Sequence, residues 1–298
     1  MKHLITDIQR FCLTDGPGIR TTVFLKGCNM RCEWCHNPET LSFSEELMFY
    51  PEKCIGCGRC FEACPNGVHR LEDGRHLINR ARCVGCGKCA SLCYAEALVM
   101  IGKEMTVDEI MREVRADTAF YEESGGGVTI SGGEVLCHLP LATALADACH
   151  REGISVALET NLSLPYEQIA PLLEKVDLLI ADMKLFDDAL HRRYTGVSSR
   201  TVIENIQKIT DIPMIVRTPL IPGVTATEDN LKSIAALLKG KKNLIFYQLL
   251  NFNPLGASKY ASLGRESAFK DARPYTDEEL ARFGALLSDA DIKVKVGE

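Results

Sequence analysis

The sequence predicts an α/β fold, an incomplete parallel barrel of six βα units interrupted by a small metal-rich insert. Three observations predict it. Beyond residue 103, short apolar runs alternate with helical patterns, the sign of βα units and a parallel sheet. Between residues 49 and 102, two cysteine runs repeat a single spacing. The chemically distinctive polar residues fall at the ends of the apolar runs, where parallel barrels gather their chemistry. The barrel accordingly spans residues 1–48 and 103–298, and the insert residues 49–102.

The first predicted strand, Thr22–Leu25, leads into Gly27-Cys28-Asn29-Met30-Arg31-Cys32-Glu33-Trp34-Cys35-His36. Its C-x3-C-x2-C spacing supplies the thiolates of Cys28, Cys32 and Cys35 and no fourth. A 4Fe–4S cluster needs four ligands, usually thiolates. A cluster on this triplet leaves one iron open to something that is not protein, which an enzyme can use and an electron carrier cannot. Zinc sites are usually built from two CxxC pairs, and here only His36 stands in reach as a fourth ligand. A disulfide reading fails on crowding and compartment.

The insert reads C-x2-C-x2-C-x3-C twice, at Cys54, Cys57, Cys60 and Cys64 and at Cys83, Cys86, Cys89 and Cys93. This doubled run is the two-cluster bacterial ferredoxin pattern, in which the fourth cysteine of each run ligates the other cluster. It assigns one cluster to Cys54, Cys57, Cys60 and Cys93, and a second to Cys83, Cys86, Cys89 and Cys64. Gly56, Gly58, Gly85 and Gly87 let the backbone wrap closely around them. Two zinc sites would use the same number of cysteines but not this grouping. An insert that is mostly loop held by metal unfolds when the metal is lost.

Five further strands are expected at Val128–Ser131, Ser155–Glu159, Leu178–Asp182, Ile215–Pro219 and Ile245–Leu250. Thr106 with Glu109, and Thr276 with Glu279, read as capping boxes that open helices. Gly132-Gly133-Glu134 follows the second strand, Glu159-Thr160-Asn161 closes the third and Asp182-Met183-Lys184 the fourth. Arg217 lies in the fifth strand, and Asn251-Phe252-Asn253 follows the sixth. Gly132 and Gly133 permit close backbone approach to a ligand, and Asp182 and Lys184 share one face of an extended segment. A buried ion pair is the structural alternative for those two.

Composition narrows the function. A net charge of −6 argues against a general nucleic-acid surface. No apolar run reaches membrane-spanning length, and the first residues lack a secretory apolar core. Fourteen cysteines, twelve of them between Cys12 and Cys93, point to metal in a reducing cytoplasm rather than to disulfides. Oxygen-labile clusters imply an anaerobic or microaerobic cell. Cys12, Cys137 and Cys149 lie outside any ligand spacing and read as free thiols. The histidines, His69 and His76 among them, show no metal-ligand arrangement, and Arg20 and Lys26 read as surface or loop anchors.

The triplet resembles the signature of the radical S-adenosylmethionine (SAM) enzymes. Its flanks, Asp15-Gly16-Pro17-Gly18-Ile19-Arg20 and Trp34-Cys35-His36-Asn37-Pro38-Glu39, resemble the activating enzymes of glycyl radical enzymes, the group of pyruvate formate-lyase activating enzyme. The resemblance implies three 4Fe–4S clusters, with SAM on the open iron. It also implies reductive cleavage to a 5′-deoxyadenosyl radical that abstracts a hydrogen from a glycine Cα of a partner enzyme. A flavodoxin or ferredoxin supplies electrons. Trp34, Cys35, His36, Gly132, Gly133, Glu134, Glu159, Thr160, Asp182, Met183, Lys184 and Asn253 then belong to the SAM site, Lys184 pairing with its carboxylate. Glu159 and Thr160 resemble a pair that contributes to a monovalent cation site, and Asp15 a position near the target peptide. Two departures stand out: Val135 replaces a proline, and Asn253 replaces a histidine near the adenosine. A radical SAM enzyme acting on a small molecule or RNA base is the first alternative, and a ferredoxin-type electron-transfer protein the second.

Overall fold

The computed structural model describes residues 3–297, so residues 1, 2 and 298 of the expected barrel lie outside it. In chain order its strands are β1 (His3–Cys12), β2 (Arg20–Leu25), β3 (Glu46–Phe49), β4 (His69–Glu72), β5 (Arg75–Ile78), β6 (Leu98–Ile101), β7 (Lys103–Met105), β8 (Gly127–Gly132), β9 (Ser155–Thr160), β10 (Leu178–Asp182), β11 (Met214–Pro219), β12 (Leu244–Leu250) and β13 (Val294–Val296). Nine of them form one sheet in the order β13-β12-β11-β10-β9-β8-β2-β1-β7. From β2 through β8 to β12 every neighbour is parallel. These are the six expected strands, and their carboxyl ends share one rim. The order has two ends, β13 and β7, so the barrel is open.

The central strands are apolar runs because both faces are covered. Along β10, Leu178 and Ile180 pack inside the barrel with Ala157 and Ile215, while Leu179 and Ala181 join the larger core shared with the helices. That alternation aims Asp182 inward, above the inner layer. Both capping boxes form, at the starts of the helices Val107–Arg115 and Asp277–Leu286. Among the described residues, no helix is long and apolar enough to cross a membrane.

Strands β1, β7 and β13 were not among those expected. β1 is a polar segment in which only Ile5 is buried, and its pairing with β2 and β7 comes from long-range ladders rather than from its own pattern. Arg20 and Lys26 also differ from expectation: neither is at the surface, being 1% and 0% exposed. Arg20 donates to Val128 O at 2.6 Å and Thr129 Oγ1 at 2.8 Å, and Lys26 to Glu46 Oε2 at 3.1 Å. Arg20 opens β2 and Lys26 follows it, and β2 lies inside the sheet between β8 and β1.

The chain departs between β2 and its helix. β3 and β6 pair antiparallel at the base of the excursion, and β4 and β5 form a hairpin. Its two-residue turn is Asp73-Gly74, with φ of 49° and 74°, the geometry that favours an Asp-Gly pair. The helices Arg59–Ala63 and Lys88–Ser91 each follow a left-handed glycine, Gly58 at φ 78° and Gly87 at φ 71°. The repeat in sequence is therefore a repeat in backbone.

Candidate active site

The triplet loop leaves β2 at the rim and is tied down on several sides. Cys28 N donates to Leu41 O at 3.3 Å, Arg31 N to Thr195 O at 2.8 Å and Glu33 N to Tyr194 O at 3.1 Å. Gly133 N and Glu134 N donate to Leu25 O and Gly27 O, locking the end of β8 to the start of the loop. Gly132 and Gly133 are required there. A Cβ at Gly132 would lie 2.2 Å from Leu25 N, and one at Gly133 2.3 Å from Gly27 O. Burial pushes the Cys28 thiol well up and the Cys35 thiol up to about 12. Unliganded they hold their protons, so ligation has to supply the compensating charge.

Asp182 and Lys184 meet on the inner face, Nζ to Oδ2 at 2.7 Å. Burial opposes the Lys184 charge, yet the Asp182 carboxylate beside it holds its pKa above the ordinary lysine value. An ammonium thus stands beside the triplet. Met183 does not join them. Its side chain is fully buried in the outer core, as strand alternation requires.

Glu134 and Thr160 bond to each other across the ends of β8 and β9. Glu134 Oε1 accepts from Leu136 N and from the Thr160 hydroxyl, and Oε2 from Asn161 N, with both side chains buried. Burial pushes the Glu134 carboxyl up to about 7 against those hydrogen bonds. Asn161 continues the network to Asn29 in the triplet loop, at 3.2 Å. Glu159 lies on the inner face, where Oε2 accepts from Ser131 Oγ at 2.6 Å and Oε1 from Arg217 Nη1 at 2.8 Å. Glu159 and Asp182 thus each carry a cationic partner already, and Thr160 faces Glu134.

Asp15 sits in the loop before β2, where Thr22 Oγ1 donates to its Oδ2 at 2.6 Å and Thr129 Oγ1 to its carbonyl at 2.7 Å. Arg217 Nη2 donates to the neighbouring Thr14 O, so this loop crosses the inside of the sheet. Trp34 is buried with Leu185, Ile221, Val224 and Phe252, an apolar anchor for the triplet loop. His36 and Asn253 are exposed, and Asn253 Oδ1 accepts from Leu255 N at 3.0 Å. Gly256 brings the next helix against Cys35 and His36, where a Cβ would stand 3.3 Å from Cys35 O.

In the insert, Cys54, Cys57, Cys60 and Cys93 line one cavity, and Cys64, Cys83, Cys86 and Cys89 a second, with Cys89 reaching the edge of both. The fourth cysteine of each run therefore stands with the other run's three, as two cubane clusters need. A single zinc ion with Zn–S near 2.3 Å holds its sulfurs roughly 3.8 Å apart. Among the described residues the trio of ligand atoms gathered within 4.8 Å is Cys60, His69 and His76, and no cysteine-only trio meets that spacing. The donor sets thus fit clusters better than single ions. All fourteen cysteines are outside disulfides. The gathering of Cys60, His69 and His76 corrects the expectation that the histidines show no metal-ligand arrangement. The Asp-Gly turn was the available signal, because it sets the hairpin register that joins them. Burial lowers the pKa of both imidazoles, that of His69 to about 4.

Residues 80–237 match the radical SAM superfamily, residues 47–94 a 4Fe-4S dicluster domain and residues 14–61 a 4Fe-4S single cluster domain. The benzylsuccinate synthase activating enzyme of Thauera aromatica is 43% identical over 276 residues, covering 90% of this chain and 83% of that protein. The chain belongs to the glycyl radical enzyme activating enzymes of the radical SAM superfamily. The activating enzyme is also similar to the choline trimethylamine-lyase activating enzyme of Oleidesulfovibrio alaskensis, 36% identical over 99% of this chain and 98% of that one. The (2S)-3-sulfopropanediol dehydratase activating enzyme of Klebsiella oxytoca is 40% identical over 91% of this chain and 88% of that one. A radical SAM methyltransferase from Sphaerobacter thermophilus shares the fold, with a TM-score of 0.53 at 15% identity over 98% of this chain and 76% of that one. As a family member, the activating enzyme uses iron–sulfur clusters and SAM to place a radical on a glycine of a partner enzyme. The small-molecule, RNA and electron-carrier alternatives fall away.

Proposed function

We propose that this activating enzyme holds three 4Fe–4S clusters. One lies on Cys28, Cys32 and Cys35 at the barrel rim. Cys54, Cys57, Cys60 and Cys93 hold a second, and Cys64, Cys83, Cys86 and Cys89 a third, in an insert at residues 49–102. The observation that carries this reading is the separation of eleven cysteines into a three-thiolate loop and two insert cavities, with Cys89 alone bordering both. When bound, the rim cluster supplies one electron to the SAM sulfonium, which yields methionine and the 5′-deoxyadenosyl radical that takes the glycine hydrogen. Lys184 pairs with the SAM carboxylate, supported by its buried ammonium beside Cys32. Asp182 orients Lys184 and accepts from a ribose hydroxyl. Gly132 and Gly133 expose a backbone edge to the methionyl ammonium. His36 and Asn253 border the adenosine, and Asn253, an amide, donates and accepts there without titrating. The Asp15 loop, held by Arg217, meets the incoming glycine peptide. The donor is a flavodoxin or ferredoxin, in an anaerobic cytoplasm.

The partner is a glycyl radical enzyme encoded near this chain and recognisable by a C-terminal glycine loop. Reduced, reconstituted protein mixed anaerobically with SAM and that partner is expected to give 5′-deoxyadenosine and a glycine-centred EPR doublet. SAM cleavage with no doublet on the partner would overturn the pairing, and absence of cleavage would overturn the site.

A further inference from the structure

His69 and His76 belong to neither cysteine run, yet they stand against one of the proposed cluster sites. On the β4–β5 hairpin, His69 is opposite Ile78 and His76 is opposite Leu71, which makes the two histidines diagonal neighbours on one face. His69 Nδ1 lies 2.9 Å from His76 Nε2, and His76 Nδ1 lies 3.8 Å from Cys54 Sγ. His76 Nε2 is 4.0 Å from Cys60 Sγ. Phe49 and Phe61 hold the His76 ring, with centroids at 4.5 and 5.0 Å.

The protons in this chain of contacts are determined by two independent considerations. A thiolate that ligates iron has no hydrogen to give, so the His76 nitrogen facing Cys54 attracts it only as N–H. A neutral imidazole carries one such hydrogen. His76 Nε2 is then bare and accepts from His69 Nδ1–H at 2.9 Å, much the nearer of its two contacts, Cys60 Sγ standing at 4.0 Å. This leaves His69 Nε2 without a hydrogen, and that atom is buried with no partner. The reverse arrangement would bury an unsatisfied N–H at the same place, which is the rarer and more costly orphan.

We propose that His69 and His76 form an ordered hydrogen-bond chain, His69 Nδ1–H to His76 Nε2 and His76 Nδ1–H to Cys54 Sγ, that raises the reduction potential of the cluster on Cys54, Cys57, Cys60 and Cys93. The inference rests on those four cysteines being its ligands. One-electron reduction adds a negative charge shared by the sulfurs, and an N–H aimed at sulfur stabilises that form more than the oxidised one. His76 is the donor. His69 is a positioning residue that selects the tautomer and the ring angle. The chain makes this insert cluster easier to reduce than its cysteines alone would.

The test is an EPR-monitored dithionite titration of the full-length reconstituted protein, with iron analysis of each variant. Cys57→Ala first identifies the signal that belongs to this cluster. If Cys57→Ala leaves iron and every signal unchanged, the ligand reading itself fails. With the signal identified, His76→Phe, which suits the aromatic surroundings, is expected to move its midpoint to a more negative potential at unchanged iron content. His76→Asn restores an N–H near the position of Nδ1 and is expected to return the midpoint toward the wild-type value. His69→Phe shifts it in the same direction as His76→Phe, by less. An unchanged midpoint in His76→Phe, a shift that His76→Asn does not reverse, or loss of this cluster's iron from His76→Phe would each overturn the hydrogen-bond chain, the last by making His76 a ligand.

Discussion

Arg217 on β11 reaches past β10 to Glu159 on β9, placing Nη1 2.8 Å from Oε1 inside the barrel. Its Nε also donates to Gln248 Oε1 on β12 at 3.1 Å, and its Nη2 to Thr14 O. One guanidinium thus joins two other strands of the open barrel and the loop that carries Asp15. Both partners are well buried, with side chains 6% and 23% exposed.

Arg217→Met removes the partner of a buried carboxylate, and loss of one member of such a pair costs about 3–5 kcal/mol. Chemical denaturation should show a drop of that order. Adding Glu159→Gln to the same variant is expected to recover part of it. A single-variant loss within about 0.5 kcal/mol would place the pair among interactions that contribute little.

Replacing Cys28, Cys32 and Cys35 together by alanine should lower iron from about twelve to about eight per chain while abolishing SAM cleavage. The two insert clusters remain, because their cysteines lie in separate cavities. Iron unchanged in this variant would contradict a rim cluster.

Lys184→Ala should keep its iron and lose SAM affinity by roughly tenfold to hundredfold, since a charge-assisted hydrogen bond is worth about 1.5–3 kcal/mol. Isothermal titration of the reconstituted protein measures it. Unchanged affinity would make Lys184 only the counter-ion of Asp182.

The insert clusters are expected to carry electrons inward. Replacing Cys57 and Cys86 should therefore impair activation more with a protein reductant than with a small chemical one that reaches the rim directly. Circular dichroism and SAM binding check that the variant is folded, because losing metal can unfold a loop-rich insert. Equal loss with both reductants in folded protein would assign the insert to docking or structure.

What the sequence by itself determined was local. The cysteine runs, the six parallel strands and both capping boxes are written in spacings of a few residues. The tertiary structure decided which rim residues face the site. Glu134 and Thr160, 26 residues apart, meet only once β8 and β9 align. Alternation about Asp182 sends Met183 into the outer core, and the inner face of the sheet pairs Glu159 with Arg217. His69 and His76, seven residues apart, meet because the Asp73-Gly74 turn sets their register. Spacing along a chain names the groups able to bind a metal. Only the register between strands, set by long-range ladders and burial, decides whether a polar side chain meets a ligand or another part of the same protein.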